Sequence, residues 1–429
     1  MPNNKFVIRE YDCLYADNCP ISGNEGETAI PVRAFSELET MVLTSSLTAA
    51  EQFFALGTRR GIGKVIRAQN YVGVIQTKSG SSVEILPKIA LPKEDKSLNQ
   101  TRKLFLRMLR KLRNPLFKKL NLSHLNMDRM PLFEIFIVMF LDEVAALIRR
   151  RIKSGYVTQE DNLYVIKGKL SFSKHIRSNV IHKERFYIEF DEYLTDIPEN
   201  RLIKAALIKL KSLSKSARSQ QRIKQYLFAL DEVQRSCNYI QDFGLCSRSR
   251  LMEDYSLLLQ WCRVFLYNKS FSNYQGEAIA YSLLFPMERI FQDYVGQMIL
   301  LCKGFDEFEV KLQESQRYLF SEPMAFKLEP DIVLRSQNSV IIMDTKWKVL
   351  NPNSIKWGIA EQDVYQMHAY CQRYGSNKAI LIYPRCDYAS PIQTMTFSND
   401  VLEVRVYLVD LWNIDESLAD LATFIKGTV

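Results

Sequence analysis

Residues Leu328–Lys348, LEPDIVLRSQNSVIIMDTKWK, decide how this chain is read. Ile332–Leu334 and Val340–Met343 are two short apolar runs, and the polar stretch Ser336–Ser339 between them consists of turn formers. That pattern predicts an antiparallel hairpin. Asp331 stands at the start of the first strand and Asp344 at the finish of the second. Folding the hairpin back brings both acids together near Lys346. Two hard oxygen ligands beside an ammonium group suit Mg²⁺ and a phosphodiester. An ordinary hairpin with solvated charged ends is the alternative these residues leave open.

Pro330-Asp331, a spacer and Asp344-Thr345-Lys346 together resemble the PD-(D/E)xK nuclease signature. Downstream, Glu361–Tyr374 has apolar residues at helical spacing, with Gln366 and Tyr370 four apart on one face. Lys378–Tyr383, KAILIY, then reads as a short buried strand. Helix, hairpin, helix, strand is the order of the nuclease core that this resemblance implies. Gln366-x-x-x-Tyr370 resembles a motif found in one branch of those nucleases.

The chain has 429 residues, enough for two or three domains with cores of their own. A hydrophobic content of 47% marks a globular protein, and the net charge of +9 favours an anionic partner without naming one. The cysteines at 13, 19, 237, 246, 262, 302, 371 and 386 include no C-x-x-C pair. Neither a zinc site nor a disulfide framework is expected, and reduced thiols in a cytoplasm fit best. The N-terminal residues lack a signal-peptide core, and no run of about 18 apolar residues marks a membrane span.

Residues 1–95 read as a β-rich module, with strands at Lys5–Glu10, Val65–Arg67, Tyr71–Gln76 and Val83–Leu86, a loop at Asn18–Glu27 and short helices within Ser36–Phe54. Gly57–Lys64, GTRRGIGK, fails as a P-loop, because the first glycine is one residue too far away and Val65 replaces the Mg²⁺-binding Ser or Thr. No nucleotide is expected on this chain alone. Arg59, Arg60, Lys64 and Arg67 form either a solvated basic turn or a contact to an anionic partner. After a polar linker at 92–100, Thr101–Lys119 predicts a basic amphipathic helix up to Asn114-Pro115. Its outer face is either simply solvated or a contact to DNA backbone.

Residues 96–250 read as a mainly helical middle region. It contains a helix over Met130–Lys153, a short strand at Leu163–Ile166, and a polar loop from Phe190 that enters a helix near Glu199. His175 and His182 are isolated and read as surface histidines. Residues 251–429 read as the nuclease domain, entered through helices at Leu251–Tyr267 and Ala278–Leu301 and closed by a strand at Val401–Val409 and a helix at Glu416–Ile425. Glu288 or Gln292 on the second entry helix could point at bound metal or serve structure alone. The expected fold class is therefore α/β and α+β multidomain, ending in a PD-(D/E)xK nuclease fold.

In order along the chain, Val72-Gly73-Val74, Ile85-Leu86-Pro87-Lys88, Lys167-Gly168-Lys169-Leu170, Phe190-Asp191-Glu192, Asn200-Arg201, Met287 and Phe291-Gln292 lead to the C-terminal set. Together they resemble the McrC family, the nuclease subunit of McrBC-type restriction systems specific for 5-methylcytosine, in its longer form. The resemblance implies an endodeoxyribonuclease acting on double-stranded DNA with one or two Mg²⁺. Asp331, Asp344 and the Thr345 carbonyl would hold the metal, Lys346 would act at the water, and Gln366 and Tyr370 would position the metal shell or the DNA backbone. It also implies docking on a McrB-like AAA+ GTPase ring, with recognition of the modified base left to that partner. Residues 1–95 are the expected docking domain. A regulatory scaffold that activates an AAA+ partner with little cleavage of its own is the alternative.

Overall fold

The strand Val340–Thr345 is paired on both sides and almost wholly buried. It belongs to a six-stranded mixed sheet in a computed structural model that describes residues 5–18, 26–44, 53–89, 97–112, 115–118, 130–246, 250–267, 280–337, 339–351, 354–386, 394–399 and 401–427. Ile332–Arg335 pairs with it antiparallel, Ile332 opposite Met343, as the turn-flanked apolar runs predict. Lys378–Pro384 lies parallel on its other side, and Glu403–Val409 extends the parallel set. Glu309–Leu312 and Thr394–Ser398 form the antiparallel edges. A parallel pair needs a long crossover, and the helix Glu361–Tyr374 supplies it. That helix ends at Gly375, whose left-handed φ of 67° lets the Ser376 N–H reach back to the Cys371 carbonyl. Met367, Tyr370, Cys371 and Tyr374 pack its inner face into one core with Val333, Ile342 and Leu381.

The backbone forms two compact units, Met1–Arg129 with Ser270–Val429, and Met130–Lys269. This differs from the expected divisions at 95 and 250. Residues 280–286 account for the first difference. A helix is expected over Ala278–Leu301, yet Ala280–Pro286 is a strand, and the helix Met287–Leu301 starts only after Pro286. A short apolar run does not distinguish a buried strand from a buried helix by periodicity alone. Here Leu283, Leu284 and Phe285 pair antiparallel with Tyr71–Thr77. The resulting sheet runs Lys5–Arg9, Ser82–Leu86, Tyr71–Thr77, Ala280–Pro286, so the N-terminal strands share a sheet with the later part of the chain. Leu284 accordingly packs in one core with Ile8, Ile75, Val83 and Ile85.

A second four-stranded sheet in this unit is built from Glu27–Ile30, Cys13–Ala16, Gly63–Ala68 and Phe54–Arg59. The rejected P-loop segment forms its outer hairpin, Gly57 opposite Val65. The helix Val32–Thr44 follows the first of these strands, and residues 19–25 and 45–52 of the expected loop and helices lie outside the described residues. The basic helix spans Ser97–Lys111, and most of the expected linker, 92–96, is likewise outside them. Leu104, Met108, Leu109 and Leu112 are buried as their spacing predicts. Arg102 departs from the expected charged outer face: it is buried and ion-paired with the fully buried Glu84.

The Met130–Lys269 unit contains the helices Leu132–Arg149, Pro198–Leu213, Ala217–Ala229 and Ser256–Tyr267. It is not purely helical, because Gly155–Leu163 and Phe186–Leu194 pair antiparallel over nine residues and Lys169–Leu170 joins them. Phe190–Leu194 is thus strand rather than loop, and Tyr164–Ile166 lies beyond the end of a strand rather than within one. The polar run Thr158–Asn162 hides such a strand from a hydropathy reading, since neither of its faces is deeply buried.

Gly73 tests the joint between the N-terminal strands and residues 280–286. Its φ is 140°, and a Cβ there would lie 2.0 Å from the Leu283 carbonyl oxygen. Gly73→Ala is expected to cost at least about 2 kcal/mol, whereas Gly57→Ala, whose Cβ meets only Val65 at 3.7 Å, costs far less. Denaturant midpoints of the two variants check this.

Candidate active site

The end of the hairpin is held by Asp331. The Thr345 N–H and the Thr345 hydroxyl both donate to its Oδ2, at 2.7 and 2.6 Å. Gln292, from the helix Met287–Leu301, donates to its Oδ1. The register of the two strands places Asp344 directly opposite, one position beyond the Ile332–Met343 pair. Asp344 is only 2% exposed, so it is no solvated strand end.

Lys346 completes the group. Its Nζ lies 2.6 Å from Asp344 Oδ2 in an ion pair. It donates to Gln366 Oε1 at 2.8 Å. Gln366 donates in turn to the Tyr370 hydroxyl at 2.7 Å, and Tyr370 to the Glu329 carbonyl at 3.3 Å. Asp331, Asp344, Lys346, Gln366 and Tyr370 therefore converge as their positions predict. The i, i+4 pair on the helix acts as a relay that aims the ammonium rather than as a separate site.

Burial, with the neighbouring Asp344 charge, pushes Asp331 up to about 7. Asp344 is also raised by burial, against the pull of Lys346. Burial alone would lower Lys346, but the Asp344 carboxylate outweighs it and leaves the ammonium above its ordinary value. Tyr370 is pushed up to about 12 by burial. Asp331 and the buried Asp344 share one nearby cation, Lys346. A further positive charge would relieve both, and a hard divalent ion suits oxygen donors of this kind. Among the described residues no group of three or more His, Cys, Asp or Glu side chains is placed to hold a metal. The candidate donors are thus these two carboxylates with the Thr345 carbonyl of the same strand end.

A model of the family described as "McrBC 5-methylcytosine restriction system component" matches residues 66–384. The chain belongs to this family. Its fold is similar to a chain of the refined half-complex from the tetradecameric assembly of Thermococcus gammatolerans McrB AAA+ hexamers with bound McrC, at a TM-score of 0.67 and 17% identity. That match covers 98% of this chain and all of the other. A chain of the Thermococcus gammatolerans McrBC complex also matches, at a TM-score of 0.46 and 18% identity over 71% of this chain and 89% of that one. No curated protein matches closely.

Within this McrBC family member the basic turn has partners of its own. Arg59 is ion-paired with Glu27, Lys64 with Glu39 at 2.7 Å, and Arg67 donates to the Tyr11 carbonyl at 3.3 Å. Arg60 is exposed. Of the two residues on the entry helix, Gln292 touches Asp331, whereas Glu288 is exposed and acts electrostatically on Glu10, Tyr11 and Lys88. Asp363 was not singled out by the motif. It is buried in the first turn of the Glu361–Tyr374 helix, accepts from Lys348 Nζ at 2.8 Å and the Tyr383 hydroxyl at 3.0 Å, and adds negative charge beside Asp344. Its position three residues before Gln366, on the same helix face, is the signal that would have found it.

A carboxyl raised by folding stabilises the protein below its unfolded pKa, and that contribution is lost as pH rises through the folded value. With divalent cations chelated, stability is therefore expected to fall as pH rises from the ordinary carboxylate value of 3.8 to about 7 and to level off above it, with a slope near 1.4 kcal/mol per pH unit for one proton inside that window. Asp331→Asn should flatten that fall, which denaturation at pH 5 and at pH 7, about 2 units apart within the window, measures.

Proposed function

We propose that this chain is the endonuclease subunit of a modification-dependent restriction complex, cutting double-stranded DNA with Mg²⁺ through a PD-(D/E)xK-type core. The observation that carries this reading is the meeting of Asp331 with the buried Asp344 across the hairpin register, with Lys346 held at Asp344 by Gln366. Asp331, Asp344 and the Thr345 carbonyl would hold the ion. Bound there, one or two Mg²⁺ would supply a Lewis acid that activates water and offsets charge on the phosphorane. Thr345 and Gln292 hold the Asp331 carboxylate in place. Because Asp344 keeps Lys346 protonated, the ammonium orients the water and opposes the growing negative charge, rather than acting as a general base. Gln366 and Tyr370 keep that ammonium at the reacting phosphate.

Asp344→Asn, which preserves shape, is expected to abolish cleavage while leaving partner binding intact. Lys346→Ala should lower the cleavage rate at least about 100-fold with a smaller effect on Mg²⁺ affinity. A DNA-cleavage assay with Mg²⁺, nucleotide and the partner measures both, and wild-type cutting by Asp344→Asn would sink the assignment.

The partner in this reading is a McrB-like AAA+ GTPase ring, as in the Thermococcus gammatolerans assembly with bound McrC. Recognition of the modified base is assigned to that partner. Residues 1–95 are expected to dock, but deleting them would remove three of the four strands in the sheet that contains residues 280–286, so truncation does not separate docking from folding. Exposure favours another surface. Val165, Ile166, Phe172, Ile176 and Ile181 are all more than half exposed, with Ile181 at 85%, and cluster in sequence between the two long strands of the Met130–Lys269 unit. Apolar exposure of this extent marks an interaction surface.

Ile166→Asp with Ile181→Asp is therefore expected to remove stimulation of the partner's GTPase without lowering the melting temperature. Arg60→Glu, at an exposed position, should leave stimulation within about twofold, since exposed charges contribute little. The reverse pattern would return docking to the N-terminal turn.

A further inference from the structure

The residue between Lys346 and Lys348 points away from the acids. The Lys348 N–H bonds the Lys346 carbonyl at 3.0 Å, a tight turn centred on Trp347. From that turn Lys346 reaches Gln366 and Lys348 reaches Asp363, both on the helix Glu361–Tyr374. Trp347 goes the other way and is almost completely buried. Its indole N–H donates to both oxygens of Glu10, each at 3.0 Å. Its ring lies 5.3 Å from that of Phe291, the neighbour of Gln292.

Glu10 follows the first strand and is 3% exposed. Its backbone is tied to the Leu86 carbonyl, and its carboxylate also accepts the Lys88 N–H at 3.0 Å. Lys88 closes the circuit, its Nζ donating to the Trp347 carbonyl at 3.1 Å and lying 4.9 Å from the Tyr11 ring centre. A buried indole N–H needs an acceptor, but a neutral side chain would satisfy it with less desolvation. A carboxylate there makes a stronger, charge-assisted bond. The catalytic reading leaves Glu10, Lys88 and Trp347 without a role.

We infer that Glu10 and Lys88 are positioning residues that act through Trp347 to fix the turn carrying Lys346. The inference rests on the nuclease reading above. If the turn is free to shift, the ammonium leaves its place at Asp344, and a displacement of about 1 Å can cost 100-fold in rate. The N-terminal strands then contribute to chemistry without touching the substrate.

The test is single-turnover DNA cleavage by the full chain with its partner and Mg²⁺, comparing Glu10→Ala, Glu10→Gln, Trp347→Phe and the Glu10→Ala/Trp347→Phe double variant. Glu10→Ala and Trp347→Phe should each lower the rate about 10- to 100-fold, with KM for DNA and GTPase stimulation within about twofold of wild type. Glu10→Gln keeps an acceptor for the indole and should recover to within about threefold. The double variant should be no slower than the slower single, because both remove one interaction. Trp347→Phe keeps the ring packing and decides the matter should Glu10→Ala not fold. Wild-type cleavage by folded Glu10→Ala or Trp347→Phe, or additive losses in the double variant, would overturn the inference. Lys346→Ala run alongside separates the two failures: if it too cuts normally, the nuclease reading itself has failed.

Discussion

Two hydrogen bonds from Thr345, one from its backbone N–H and one from its hydroxyl, end on the same oxygen of Asp331. Much of the site depends on this pair. It closes the open end of the hairpin, so that Asp331 and Asp344 face each other across the register. Without such donors two buried carboxylates at that spacing would repel and draw in water. Their burial raises both acids, while the neighbouring carboxylates, Asp344 first, hold Lys346 protonated against its own burial. The central strand tolerates this because it is hydrogen-bonded on both edges, antiparallel to one neighbour and parallel to the other.

The helix Met287–Leu301 links the sheet that contains Ala280–Pro286 to the six-stranded sheet. Its first N–H bonds the Asn70 carbonyl beside the N-terminal strands. One turn later Phe291 packs on Trp347 and Gln292 reaches Asp331. A single rigid element thus fixes the distance between the sheet of early strands and the acids. The strand Ala280–Pro286 leads directly into this helix, so pairing with Tyr71–Thr77 also sets where the helix begins.

The Met130–Lys269 unit has a different character. Its helices bury a core of their own, including Phe136, Phe140, Trp261 and Phe265. The nine-residue strand pair, by contrast, carries several acidic residues and buries only Ile188 completely, with Tyr156 and Tyr193 exposed. The residues between the strands, Val165, Ile166, Phe172, Ile176 and Ile181 among them, stay exposed. No helix among the described residues is long and apolar enough to cross a membrane.

What the sequence determined by itself is the site's local frame. The hairpin, the helix Glu361–Tyr374 and the strand after it follow from apolar periodicity and turn residues, because each is set by neighbours within about 20 positions. Asp331 and Asp344 meet across one turn, and Gln366 and Tyr370 share a helix face, so pattern alone brings them together. Tertiary structure decided what lies farther apart. Residues 280–286 became strand only because Tyr71–Thr77 offered an edge, and Arg102 turned inward only because Glu84 was there to pair with it. Glu10 and Trp347, 337 residues apart, carry no shared pattern in the chain. Their contact arises from the packing of a whole unit, where a buried indole and a buried carboxylate satisfy each other because water cannot reach either.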